Sequence, residues 1–259
     1  MSHGNIVMDE GFILITGASG GFGYEFARQL EARGACLILH GRDTARLQMT
    51  LDGLKHPDRH RCLIADLSQR KSVESFIDSV QAEGKIIGLV NNAGFGVWGK
   101  FELCESVPQL DVLRTDLMAP VSITHALLPE LIRVQGFIVN VSSLAGEIPL
   151  PYMSTYAAAK AGLTCWSEAL RAEVAGKVTV VTLVPGPSPT GFRDISGAPK
   201  GKGRGFRTSA QTVVAASLST LQRGGGYCVP GWRHRLLWLL QKVTPRKLSL
   251  KLMADYLKP

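Results

Sequence analysis

Tyr156 and Lys160 stand four residues apart in the run Tyr156-Ala157-Ala158-Ala159-Lys160. On a helix that spacing puts both side chains on one face, so the ammonium can lie near the phenol. A phenol normally titrates at about pH 10 and is a poor base at neutrality, and a nearby positive charge favours its ionised form. Upstream, Ser143 carries a hydroxyl able to donate to an oxygen on which charge develops. The three groups together suit proton exchange with an oxygen bound to carbon, as in carbonyl and alcohol interconversion. Taken singly, each has a plainer reading: a turn serine, a half-buried helix aromatic and a solvated lysine.

A second set suits a dinucleotide. Thr16-Gly17-Ala18-Ser19-Gly20-Gly21-Phe22-Gly23 joins an apolar run at 12–16 to a helical pattern at 24–33. Glycines let the backbone turn tightly and approach a pyrophosphate, whose charge the helix N-terminus favours. Gly17, Ser19, Gly21, Phe22 and Gly23 are the expected contacts; read alone, the loop is also compatible with an ordinary glycine-rich turn. NAD-preferring sites place an acidic side chain at the end of the second strand, about 20 residues further on, against the ribose hydroxyls. That stretch here reads Leu39-His40-Gly41-Arg42-Asp43. Arg42 offers a planar, charge-assisted fork for a 2′-phosphate, which favours NADP(H) over NAD(H). Asp43 either caps the next helix or faces the ribose.

These groups need a scaffold that brings them to one edge. Apolar strand patterns at 36–40, 62–65, 86–90, 137–141 and 178–184 alternate with helical patterns at 44–54, 72–81, 107–133, 156–175 and 210–221. Strands alternating with helices imply parallel crossovers and an α/β fold: one doubly wound, Rossmann-like parallel sheet covered by helices on both faces. Such a sheet binds ligands at the carboxyl ends of its strands, where the chemistry-bearing residues fall. At 259 residues, the chain is expected to form one domain with a C-terminal helical extension.

Asn91-Asn92-Ala93-Gly94 follows one strand, Ser143 follows another, and Tyr156 to Lys160 opens a helix. With the glycine loop, these segments resemble the short-chain dehydrogenase/reductase family in order and spacing from about residue 12 to Thr190. The resemblance implies that Tyr156 acts as general acid in the reducing direction, and that Lys160 both activates it and holds the nicotinamide ribose. Ser143, not the adjacent Ser142, has the family's spacing to the tyrosine. The resemblance further implies cofactor contacts from Asp66 and Leu67 near the adenine, from Asn92, Ala93 and Gly94 along its length, and from Pro185, Gly186 and Thr190 at the nicotinamide. One position departs from the family: Asp116 stands where an asparagine usually supports a water chain to the lysine. An aspartate there keeps the backbone carbonyl but alters local proton affinities. Family resemblance also implies a homodimer or homotetramer with an interface around residues 156–175.

The net charge of +8 is uneven: residues 187–259 hold 13 Lys+Arg against 2 Asp+Glu, and residues 1–186 hold 16 against 19. Residues 187–208 combine glycines with Arg193, Lys200, Lys202, Arg204 and Arg207 and read as a mobile substrate loop. The segment 233–258 reads as a basic amphipathic helix pair, packing over the active site or a partner copy, or lying on an anionic membrane surface. The PGW segment at 230–232 and this tail are similar to a bacterial branch of the family. The N-terminus lacks a signal-peptide pattern, and no apolar run is long enough to span a bilayer, so a cytoplasmic protein is expected. Five cysteines form no CxxC and have no metal-like spacing with the histidines, so they are expected as free thiols without a metal site. No nucleic-acid motif accompanies the high pI. The leading expectation is an NADP(H)-dependent oxidoreductase that reduces a ketone or aldehyde, with a lipid-like or 3-oxoacyl substrate as the finer guess. The alternative is an NADP-binding regulatory protein with little turnover.

Overall fold

The inner strands are mostly apolar and buried on both faces, as parallel sheets require. In the computed structural model, which describes residues 11–198 and 207–258, β1 (Phe12–Ile15), β2 (Cys36–Gly41), β3 (Arg61–Ile64), β4 (Ile86–Asn91), β5 (Phe137–Val141), β6 (Thr179–Leu183) and β7 (Gly226–Cys228) form one parallel sheet. Their order is β3-β2-β1-β4-β5-β6-β7. Successive strand residues point to opposite faces, so Ile13, Ile15, Leu37 and Leu39 enter one buried cluster while Leu14 and Ile38 enter the other. The first cluster is closed by α1 (Gly21–Glu31), α2 (Thr44–Asp52) and α8 (Ala210–Gln222), through residues such as Phe26, Leu47 and Val213. The second is closed by α3 (Arg70–Ala82), α5 (Ala119–Arg133) and α6 (Ser154–Glu173), through Phe76, Ile123 and Leu170.

The chain leaves β1 outward through β2 and β3, then returns to pair β4 with β1 from the other side. This reversal opens a crevice beyond the carboxyl ends of β1 and β4, and the glycine loop lies there. A buried polar chain fixes the neighbouring strands: Asn91 Nδ2 donates to Asn140 Oδ1 at 2.8 Å, and Asn140 Nδ2 donates to Ser167 Oγ at 2.9 Å. Ser167 in turn bonds Thr182 at 2.7 Å, so β4, β5, α6 and β6 share one network.

The helix expected across 107–133 is broken. α4 (Ser106–Leu113) meets α5 through a π-helical turn at Arg114–Met118. Pro120 has no N–H to give the carbonyl four residues earlier, that of Asp116, which loosens the α-helical ladder at this point. β7 was not anticipated; it is three residues long and follows Gly224 and Gly225, both at positive φ, so it carries no strand periodicity. The tail forms two helices, α9 (Trp232–Val243) and α10 (Arg246–Leu257), as its pattern predicts. A short α7 (Phe192–Ser196) precedes the rest of the glycine-rich loop. Lys200, Lys202 and Arg204 of that loop, and the N-terminal ten residues, lie outside the described residues. Among the described residues, no helix is long and apolar enough to cross a membrane.

Candidate active site

The glycine loop is held by the ends of two strands. Thr16 Oγ1 accepts from the amides of Asn92 and Ala93 at 2.9 and 3.0 Å. Asn92 Nδ2 donates to the carbonyls of Thr16 and Gly17 at 2.9 and 3.0 Å, so this side chain secures the loop besides lining the cleft. Gly17 has φ +65°, and a Cβ there would lie 2.7 Å from Ala93 Cα. Gly23 serves differently from expectation: it does not line the cleft but lets α1 press on the loop, since a Cβ would strike the Gly17 carbonyl. No side chain caps the first turn of α1, whose N-cap is Gly20. Its amides are left for an anion in the cleft.

His40 is a buried anchor that the sequence reading passed over. Its Nδ1 accepts from the Gly17 amide at 3.3 Å, which leaves the proton on Nε2 to donate to the Ala65 carbonyl at 3.1 Å. Burial lowers its pKa from the ordinary 6.5 to about 4, keeping the ring neutral.

At the end of the cleft bordered by β2 and α2 the ambiguity over Asp43 resolves toward capping: its Oδ1 accepts from the Arg46 amide at 3.0 Å and starts α2. Asp66 is likewise committed to a turn, accepting from the Ser68 amide at 2.9 Å. Arg42 and Arg46 both line this end of the cleft. Arg46, not anticipated, also reaches the Ser19 carbonyl at 3.4 Å. This end of the cleft therefore presents two guanidiniums, with the local carboxylates turned to backbone amides.

At the opposite end Ser143 and Tyr156 are hydrogen-bonded side chain to side chain. Ser143 Oγ accepts from the Ala145 amide at 3.1 Å, which leaves its own proton to donate to the Tyr156 oxygen or to an oxygen bound in the cleft. Ser142 points inward instead, bonding the Lys160 carbonyl and Thr164. Lys160 is buried beneath Tyr156, its Nζ 3.0 Å from the Val141 carbonyl and 3.1 Å from Asp116 Oδ2. Asp116 is fully buried; its Oδ1 accepts from the Phe95 amide at 2.9 Å, and its Oδ2 meets Lys160 as an ion pair without an aligned hydrogen bond. Burial raises the Asp116 pKa, against the opposing pull of the Lys160 charge.

This pair revises one expectation. Lys160 Nζ lies 5.8 Å from the Tyr156 ring and is neutralised by Asp116. Burial first, and the Asp116 charge second, push the Tyr156 pKa above its ordinary value, against a smaller lowering by the Ser143 hydrogen bond. The phenol is therefore held protonated, which suits an acid and opposes a base.

The cleft has a volume of about 690 Å³ and continues past Tyr156 into an apolar chamber. Leu150 and Met153 form one wall, and Phe192 of α7 packs on Tyr156 with ring centroids 5.0 Å apart. Leu237 of α9 and Met253 and Leu257 of α10 supply the roof. The tail is tied down by Glu147, which accepts from Trp238 Nε1 at 3.0 Å and Tyr227 Oη at 2.6 Å. Trp98 Nε1 donates to the Leu257 carbonyl at 3.3 Å. The His234 ring presses on Gly186, where a Cβ would meet Cδ2 at 2.6 Å. Packing over the active site, one of the readings of the tail, is thus present. Pro185, Gly186 and Thr190 line the cleft as expected, with Leu67, Ala93 and Gly94.

A doubly wound sheet with a glycine-rich loop at its switch point and a hydroxyl pair over a buried lysine defines a Rossmann-like, nucleotide-binding class of oxidoreductase. Residues 11–199 match the family model described as short chain dehydrogenase. The chain belongs to the short-chain dehydrogenase/reductase family of nicotinamide-dependent oxidoreductases. It is 37% identical over 171 residues to dehydrogenase/reductase SDR family member 7B of Danio rerio, covering 62% of this chain and 55% of the relative. The chain thus spans little more than half the length of that relative. It is 35% identical to sulfoacetaldehyde reductase 2 of Chromohalobacter salexigens, covering 70% of this chain and 73% of the relative. Its backbone superposes with a TM-score of 0.80 on a short-chain dehydrogenase from Sphingobium yanoikuyae in complex with NADPH, at 25% identity and covering 94% and 95% of the two chains.

Proposed function

We propose that this chain is an NADPH-dependent reductase of a bulky, apolar ketone or aldehyde, with Ser143 and Tyr156 as catalytic residues and Asp116 as a positioning residue acting through Lys160. The observation that carries the reading is one continuous cleft with Arg42 and Arg46 at one end and the Ser143–Tyr156 hydroxyl pair facing an apolar chamber at the other. The bound nicotinamide supplies a hydride to the carbonyl carbon. Gly17, Ser19, Gly21 and Phe22 would hold its pyrophosphate, the two arginines a 2′-phosphate, and Lys160 the nicotinamide ribose. Ser143 donates its hydroxyl proton to the carbonyl oxygen in a hydrogen bond, and Tyr156 Oη transfers its proton to that oxygen as negative charge builds. Because Tyr156 titrates above the phenolic norm, it keeps that proton through the neutral range. The apolar roof supports a lipid-like substrate, with 3-oxoacyl compounds within the class. Assembly through α6 into a homodimer or homotetramer belongs to the same reading, supported by exposed Val107, Leu110 and Met118 on the neighbouring α4–α5 segment.

The Lys160–Asp116 pair favours a second reading, an NADP-binding regulator with slow turnover, because it withdraws the lysine from the phenol. Fluorescence titration with NADPH and NADH, followed by a panel of apolar ketones and aldehydes, separates the two. Tighter NADPH binding with turnover is the expected result. Tight binding without turnover across the panel would favour the regulator, and failure to bind either nucleotide would remove both.

A further inference from the structure

α9 is apolar on its outer face as well as its inner one, unlike an ordinary surface helix. Such helices bury their apolar stripe and show polar residues to water. In α9 the inward face carries His234, Leu237, Trp238 and Gln241, which contact the PGP loop, the cleft and Glu147. The outward face carries Trp232, Leu236, Leu239, Leu240 and Val243, which are 71%, 50%, 54%, 49% and 77% exposed. Their spacing gathers them within about 100° of the helix circumference, a continuous apolar stripe facing solvent. Arg233 borders the stripe on one side and Arg235 and Lys242 on the other. On α10, exposed Leu248 and Leu252 alternate with exposed Lys247 and Lys251. Residues 230–259 carry seven Lys+Arg against Asp255 as the one acidic residue.

We propose that this outer face of α9 and α10 docks on an anionic lipid bilayer, lying in the interface plane. The apolar stripe enters the acyl boundary while the flanking cations, on long stems, meet the headgroup charge. Charge decides between a bilayer and a second copy of the same face. A two-fold pairing would set two strongly basic surfaces against each other, whereas an anionic surface neutralises both. The orientation also has a use: the inner faces of the same helices roof the apolar chamber, so docking brings that chamber next to the bilayer. The proposal is independent of the NADPH reading, since the surface does not involve the cofactor cleft.

The test is co-sedimentation of the full chain with phosphatidylcholine vesicles, with and without phosphatidylglycerol, in parallel with Leu239→Asp and Val243→Asp. Both positions are too exposed for the substitutions to unfold the chain, and circular dichroism with nucleotide titration checks this. Expected are binding to the phosphatidylglycerol vesicles only, weakening as salt rises, and a loss of at least about tenfold in each variant with nucleotide binding unchanged. Absence of vesicle binding, equal binding to neutral vesicles, or variants that bind like the parent would each overturn the proposal. So would a concentration-dependent dimer that the two variants abolish.

Discussion

Acid should weaken this fold through His40, and the size of the effect follows from its surroundings. The folded imidazole titrates at about 4 because burial disfavours its charged form, whereas in the unfolded chain it returns to the ordinary 6.5. Between these values the unfolded state binds more protons than the folded one, so stability rises with pH. The contribution is complete above 6.5 and is lost as pH falls toward about 4. Fully expressed, the gap corresponds to about 3 kcal/mol, and at pH 5 about 2 kcal/mol should already be gone. Protonation also puts a hydrogen on Nδ1, where the Gly17 amide now donates, so the glycine loop loses its acceptor. The assay is urea unfolding from about pH 7.5 to about pH 5, on the parent and on His40→Gln. The variant removes this titration alone and leaves the depressed Glu25, Glu31 and Glu168 in place. The parent should lose about 2 kcal/mol more than the variant over that interval. Parallel pH dependences for the two proteins would refute the assignment of a neutral, loop-holding imidazole.

Three further outcomes concern the cleft. Arg42→Ala should weaken NADPH binding by about tenfold to a hundredfold while leaving NADH nearly unchanged, measured by fluorescence titration; equal losses for both would place the arginine away from the 2′-phosphate. Asp116→Asn removes a negative charge that raises the Tyr156 pKa, so the pH profile of alcohol oxidation should move toward lower pH, and an unmoved profile would count against Asp116 acting on the phenol. Tyr156→Phe should reduce turnover by at least about a hundredfold with little change in nucleotide affinity, and activity near the parent's would remove Tyr156 as the acid.

Much of this architecture was legible because its signals are local. Strands covered on both faces read as unbroken apolar runs, and glycines punctuate the one turn that approaches a pyrophosphate. The serine, tyrosine and lysine were legible through spacing, and the cleft brings them together with most of the nucleotide contacts expected. What escaped depends on contacts between distant segments. Nothing local marks His40 as the acceptor for Gly17, or Glu147 as the anchor for Trp238. Asp116 was visible as a departure, but its hold on Lys160 needed the π-helical turn that aims it inward. An amphipathic pattern also cannot say which side of α9 turns to water when Leu and Trp occur on both.

The two halves of the cleft come from different parts of the chain. The glycine loop and the two arginines come from the first ninety-odd residues, while the roof of the apolar chamber comes from α9 and α10, beyond the span shared with the family model. On the proposed reading, changes at Leu237, Met253 and Leu257 would reshape the chamber and leave the glycine loop in place, while His234 ties the same helices to Gly186. The closing helices would then set the shape of what enters, and the loop at the far end what is held beside it.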